Sequence, residues 1–166
     1  MGQVTTRAAR PEDAAEMAEL INEIIAAGGT TAYEEPFSAA EMDAEYISTP
    51  GKVSCTVAEL DGSIVGFQGL HWPHGAGDPF PKGWAIIATF AKRGLTGQGI
   101  GSALFDATRA AAVAAGVKTL DATIRADNAG GLTYYGRMGF TDYDRLVAVP
   151  LRNGTPVDRV RKRLDL

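Results

Sequence analysis

The stretch KRGLTGQGIGSALF, residues 92–105, sets glycine at positions 94, 97, 99 and 101 and runs directly into an alanine-rich segment with a helical apolar period. The first N–H groups of a helix have no internal partners and the helix dipole adds partial positive charge, so a helix start is a natural anion site. Glycines there let a phosphate reach the main chain without meeting a Cβ. The apolar run GWAIIATF just before it reads as a strand. Two nucleotide signatures with this layout fail on spacing. A P-loop needs Gly-Lys-Ser/Thr, whereas Gly99 is followed by Ile100 and Lys92 lies upstream of the glycines. A dinucleotide fingerprint needs Gly-x-Gly-x-x-Gly, whereas Gly97, Gly99 and Gly101 alternate and Ser102 stands at the last required position. The alternative, a glycine-rich turn without a ligand, leaves that two-residue glycine spacing unexplained.

Composition narrows the remaining chemistry. At 166 residues, 45% hydrophobic and 22% charged, the chain is expected to form one domain, residues 1–166, whose core needs no disulfide or metal. Cys55 is the lone cysteine, and its setting in VSCTVAEL predicts a reduced, buried strand thiol. A formal charge of -4 argues against non-specific nucleic-acid binding. The basic cluster RVRKRL near the C-terminus reads as the solvent face of a strand. No apolar run approaches the length of a membrane span and the N-terminus has no signal-like apolar region, so a cytoplasmic protein without membrane contact is expected. The Met-Gly start with Thr6 matches a myristoylation signal only loosely, with no other membrane feature beside it. His71 and His74 with Asp78 lack a nearby cysteine, and no metal is expected.

The elements that must carry the glycine turn are legible from periodicity. VTTRA is a short strand, and Pro11, Glu12 and Asp13 open a helix whose buried face is Met17, Leu20, Ile21, Ile24 and Ile25, ended by Gly28 and Gly29. Ser38 and Glu41 form a capping box for a second helix. KVSCTVAEL and SIVGFQGLHW flank Asp61-Gly62, a strong hairpin signal. After the turn, Ile100, Ala103, Leu104, Ala107, Thr108 and Ala111 mark the inward face of a long helix ended by Gly116. KTLDATI is a strand, GGLTYYGRM a short helix stopped by Gly139, and LVAVPLRNGTPVDRVRKRL a final hairpin turning at Asn153 and Gly154. Hairpins together with strand-helix-strand units imply an α/β (α+β) fold: a mixed sheet with helices on its faces.

At this point the residues resemble a family. Gly97-Gln98-Gly99-Ile100-Gly101-Ser102-Ala103-Leu104 is similar to the pyrophosphate loop of the GNAT (GCN5-related N-acetyltransferase) superfamily, whose signature is Arg or Gln, two residues, Gly, one residue, then Gly or Ala. NAGGLTYYGRMGF, residues 128–140, resembles that family's segment in which an asparagine precedes a short helix carrying a tyrosine, followed by Gly-Phe. The order of elements fits over almost the whole chain. The resemblance implies a mostly antiparallel sheet of about seven strands, splayed at its centre, with acetyl-CoA as cofactor. It implies that the amides of Gly97, Gln98, Gly99, Ile100, Gly101 and Ser102 hold the pyrophosphate. Main-chain groups of Thr89, Phe90 and Ala91 then meet the pantetheine arm, Asn128 contacts the cofactor, and Tyr135 contacts it as the general acid. Tyr134 is expected in the core, and a packed aromatic without chemistry is the other reading of Tyr135. Thr96 departs from the signature, standing where Arg or Gln is expected, with Lys92 or Arg93 near enough in sequence to compensate.

A substrate amine is mostly protonated at neutral pH, so its proton needs an acceptor. Many members of the family use a glutamate on the strand before the glycine turn, and WAIIATF has no acid. Glu34, Glu35, His71 and His74 are the candidates, with water as the alternative. TTAYEEPFS resembles the substrate-side loop of the phosphinothricin and small amino-acid acetyltransferases, which makes Thr30, Thr31, Tyr33 and Glu34 acceptor-site candidates. The expected activity is acetyl transfer to the primary amine of a small molecule, an amino acid or an analogue. A protein or peptide N-acetyltransferase and a non-catalytic CoA-binding module are the alternatives, and a homodimer is suggested by analogy alone.

Overall fold

The computed structural model describes residues 2–73, 80–95 and 97–166. His74, Asp78 and Thr96 lie outside the described residues. Seven strands form one sheet in the order β1-β2-β3-β4-β5-β7-β6: β1 (Thr5–Ala8), β2 (Lys52–Leu60), β3 (Ser63–His71), β4 (Trp84–Ala91), β5 (Thr119–Arg125), β6 (Thr141–Pro150) and β7 (Pro156–Asp165). Every neighbouring pair is antiparallel except β4 with β5. The helices are α1 (Ala14–Ala27), α2 (Ala39–Met42), which continues into a wider turn at Asp43–Ile47, α3 (Ile100–Ala114) and α4 (Ala129–Arg137).

Local signals account for most boundaries. Gly28 ends α1 at φ 71, and Met17 and Ile21 on its inner face are fully buried. Ser38 Oγ accepts from Glu41 N at 3.1 Å while the Glu41 carboxylate accepts from Ser38 N at 3.0 Å, the reciprocal capping box. Asp61 and Gly62 both have positive φ, 52 and 81, which matches the twist of a two-residue hairpin. The buried face of α3 is turned slightly from the expected stripe: Phe105 and Ala112 are buried beside Ile100, Leu104 and Thr108, whereas Ala103, Ala107 and Ala111 are half-covered.

Two apolar layers cover the sheet. On one face α1, α2 and the wide turn pack Met17, Ile21, Met42 and Tyr46 against Val57, Phe67 and Phe90. On the other face Phe105, Tyr135 and Phe140 pack against Ala85, Ile87, Leu120, Ala122 and Ile124. β4 thus contributes Phe90 to one layer and Ala85 and Ile87 to the other, as an all-apolar central strand requires. Cys55 is buried in the first layer, where desolvation pushes its thiol up to about 12.

The C-terminal basic cluster departs from the expected solvent face. β7 lies between β5 and β6, and what half-covers its basic side chains is packing on the sheet face: Arg161 stands over Phe80 and Tyr143, and Arg163 over Trp84, at 4.7, 5.2 and 4.8 Å from the ring centres. Aromatic rings cover the guanidinium planes and stems, which lets a basic strand run through a sheet interior.

Candidate active site

The site begins as a fault in the sheet. β4 and β5 are paired only at 84–86 with 119–121, yet β4 continues to Ala91 and β5 to Arg125. Past the third pair the strands part, and main-chain groups of two central strands face a gap where a ladder would otherwise satisfy them. The gap opens into a cleft of about 1190 Å³ lined from β4, β5, the glycine turn, α4 and the segment after α1. Ordinary small-molecule pockets measure roughly 300–1,000 Å³, so this cleft lies at the large end of the range.

The glycine turn forms one end. Gly97 and Gly99 have φ of 82 and 77, and a Cβ on either would meet nothing within 4 Å. Their conformation requires glycine and their open side faces the cleft, a cradle a side chain would fill. Gly101 is glycine for a different reason: a Cβ there would lie 2.5 Å from the Tyr134 ring. The period-two spacing expected to serve a ligand therefore serves the backbone twice and packing once. Gly99 caps α3 with no side-chain acceptor, which leaves the first amides of that helix for a ligand. Lys92, Arg93 and Arg137 also line the cleft and have no acidic partner among the described residues. Arg137 was missed in the sequence because nothing local marks the last residue of α4 as facing a ligand.

At the middle of the cleft a hydrogen-bonded chain joins four elements. Tyr135 Oη lies 2.7 Å from Thr89 Oγ1, and Gln68 Nε2 donates to Thr89 Oγ1 at 2.8 Å and to Tyr134 Oη at 3.0 Å. Tyr134 Oη then donates to Gly101 O at 2.8 Å. Tyr135 is 6% exposed, and burial holds its phenol protonated well beyond the usual range. Burial likewise pushes Tyr134 up to about 12. Tyr134, expected in the core, is half-buried and lines the cleft while pinning the first turn of α3. Gln68 is fully buried, and its role was invisible in the sequence because a glutamine in a strand carries no motif.

The far end is walled by the segment after α1. Thr30, Thr31 and Tyr33 line the cleft, held by Asn128 Nδ2 donating to Thr30 O at 2.9 Å and Arg125 Nη1 donating to Thr31 O at 3.1 Å. Asn128 Oδ1 accepts from Gly131 N at 2.9 Å and so caps α4, which leaves both ends of that amide partnered within the protein. Tyr33 and Tyr46 share a hydrogen bond of 2.7 Å and pack edge-to-face with Phe37 and Phe67 respectively. Glu34 is not brought to this cleft: its carboxylate accepts from Arg152 N at 3.0 and 3.1 Å, and Glu35 pairs with the Arg152 side chain, both beside a separate hollow of about 340 Å³. His71 does line the cleft, directly opposite Ile86 across the β3–β4 ladder, so the two side chains share one face. Glu45 and Arg125 line it as well, with no sequence motif to single them out, and so does Arg159, which the sequence placed in a solvent-facing basic cluster. Among the described residues no group of three His, Cys, Asp or Glu is placed to hold a metal ion.

A family model described as the acetyltransferase (GNAT) family matches residues 18–140. The chain belongs to this acetyltransferase family. Among curated proteins no sequence matches significantly. Solved structures with the same fold include yncA of Salmonella typhimurium with its cofactor acetyl-CoA, 20% identical, TM-score 0.85, over 98% of this chain and 94% of that one. They include the phosphinothricin acetyltransferase of Sinorhizobium meliloti in complex with acetyl-CoA, 20% identical, TM-score 0.84, over 99% and 89%. They also include the ribosomal-protein-alanine N-acetyltransferase of Brucella melitensis, 21% identical, TM-score 0.80, over 98% and 99%. Small-molecule and protein acceptors thus both occur on this fold, and the acceptor has to be read from the site.

Proposed function

We propose that residues 1–166 act as one domain that transfers an acetyl group from acetyl-CoA to the primary amine of a small molecule, an amino acid or an analogue. The observation that carries this reading is the cleft itself. It runs from a glycine cradle, along the parted strands, to an end walled by Thr30, Thr31 and Tyr33.

The cofactor supplies an acetyl thioester, whose carbonyl carbon an amine attacks and whose sulfur departs with the electron pair. Main-chain N–H groups of residues 97–102 and the cations Lys92, Arg93 and Arg137 hold its phosphates. Main-chain groups of Thr89, Phe90 and Ala91 lie along the gap, where an amide donor near Ala91 is set to stabilise negative charge on the carbonyl oxygen. Thr89 Oγ1 accepts from Gln68 and shares a hydrogen bond with Tyr135 Oη in which either oxygen can be the donor; with Thr89 donating, the Tyr135 proton is left to the departing sulfur. Burial keeps that proton on the phenol at neutral pH, so Tyr135 holds a proton to give as negative charge develops on the sulfur.

The amine's proton passes to His71. β4 has no acid, and Glu34 and Glu35 are engaged by Arg152 away from the cleft. His71 stands on the same face as Ile86 within the cleft, and imidazole is the side chain best matched to proton transfer near neutral pH. A thiol-release assay with acetyl-CoA against free amino acids, other small amines and N-terminal peptides tests the reading. Turnover on small amines is expected. Turnover confined to peptides, or cofactor binding with no turnover on any amine, overturns it.

A further inference from the structure

We propose that the acceptor carries a carboxylate as well as its amine, and that Arg159 is the residue that reads it. This rests on the acetyl-transfer reading above and names the substrate class of the same site. β7 places Arg159 directly opposite Arg125 of β5 in an antiparallel ladder, so both side chains stand on one face. That face is opposite the one that buries Ala122 and Ile124 against the layer containing Tyr135, and Arg125 there donates to Thr31 O in the segment that walls the acceptor end. Like charges directly opposite in a ladder are unfavourable. Arg125 is neutralised by Asp127, with Nε and Nη2 donating to the carboxylate at 3.0 and 2.7 Å. Arg159 is half-buried, lines the cleft, and has no acidic partner or side-chain hydrogen bond among the described residues. Its sequence neighbour Asp158 is taken by Arg145 and by Ala148 N. Glu45 is the one acid among the described residues lining a cleft that also shows Lys92, Arg93, Arg125, Arg137 and Arg159.

Of the two facing guanidiniums, Arg125 has Asp127 as its partner and Arg159 is left without one, a place that an anionic ligand in the cleft would fill. A carboxylate matches the planar fork of Arg in two parallel hydrogen bonds. An amine that also bears a carboxylate would place that group at Arg159 while its nitrogen faces the parted strands.

The test uses the protein with coenzyme A bound and each free α-amino acid paired with its own α-carboxamide, titrated by calorimetry and assayed for turnover, in the native protein and in Arg159→Gln and Arg159→Lys. The native protein is expected to bind at least one amino acid more tightly than its amide. Arg159→Gln should weaken the acid form about 10- to 100-fold and leave the amide and coenzyme A nearly unaffected, with Arg159→Lys restoring part of the loss. The ratio of ratios cancels the different basicity of the two amines. Equal affinity for acids and amides in the native protein, an equal loss for both in Arg159→Gln, or weakened coenzyme A binding in that variant overturns the proposal. Binding of the acid form without turnover would leave it standing and count against acetyl transfer instead.

Discussion

At the scale of single residues, the proposed chemistry depends on two proton positions. Tyr135 packs its ring in the layer behind the sheet and lines the cleft, its hydroxyl bonded to Thr89 alone among the described groups. Tyr135→Phe removes the oxygen and keeps the ring packing, so turnover should fall by about 10²- to 10⁴-fold with acetyl-CoA affinity nearly intact. Unchanged turnover in steady-state kinetics would remove Tyr135 from the reaction. His71→Asn should lower kcat at pH 7 by about 10²-fold, with the deficit shrinking as pH rises towards the amine's own pKa of about 10, because less of the amine then needs deprotonation. A deficit constant across the pH profile would assign His71 a packing role. Tyr135 was legible as a motif residue. His71 became a specific candidate only when the ladder set it opposite Ile86, since a histidine near a strand end has no signature of its own.

At the scale of elements, the glycine turn and α3 show how one spacing can conceal two causes. Gly99→Ala forces a left-handed alanine, which costs about 1–2 kcal/mol, and it places a methyl group where a phosphate must approach. Coenzyme A affinity should drop about tenfold or more while the fold survives. Gly101→Ala has ordinary helical φ but drives its Cβ into Tyr134, so it should lower the melting temperature and disturb the Tyr134 contact to the first turn of α3. Measured by calorimetry and melting temperature on both variants, Gly99→Ala should show the larger loss of coenzyme A affinity and Gly101→Ala the larger loss of stability. If Gly99→Ala binds coenzyme A normally, the turn is a structural feature. Periodicity located α1, α3 and the hairpins because backbone hydrogen bonding and one-sided burial write their period directly into the chain. It read the basic residues of β7 as exposed because period alone does not say which distant rings pack on a strand's face.

At the scale of the whole molecule, the N-terminal strand is locked to the first helix by charge. Asp13 accepts from Arg7 at 2.7 and 2.9 Å and from Arg10 N at 2.8 Å, and Arg7 also donates to Glu59 of β2. The Arg7 side-chain bonds hold the Asp13 carboxyl below its usual value of 3.8. A depressed carboxylate contributes stability that is present above the ordinary value and lost as pH falls through the lowered one. Asp13→Asn should therefore cost about 1–3 kcal/mol at pH 7, and chemical-denaturation curves of variant and native protein should converge in acid. A pH-independent difference would mean that the ion pair is not the source. Ligand linkage acts on the same scale. Coenzyme A at a hundred times its dissociation constant adds about 2.7 kcal/mol, which for a chain of this size raises the melting temperature by roughly 5–10 °C. No rise at saturation would contradict a site built into the parted strands.

The sequence by itself determined the elements, the glycine turn, the family resemblance and the tyrosine that belongs to it. These are local or near-local properties: a helix start, a capping pair, a hairpin dipeptide, a short motif on one helix. Only the tertiary structure decided which charges face the cleft. It drew Glu34 and Glu35 away to Arg152, brought His71 beside an acid-free strand, and set Arg159 across from Arg125 from 34 positions away in the chain. The physical reason is register. Which side chains share a face of a mixed sheet depends on strand order and alignment between segments far apart in sequence, and a shift of one residue would have turned His71 or Arg159 to the opposite side, while the loop acids Glu34 and Glu35 were placed by contacts to Arg152, far along the chain.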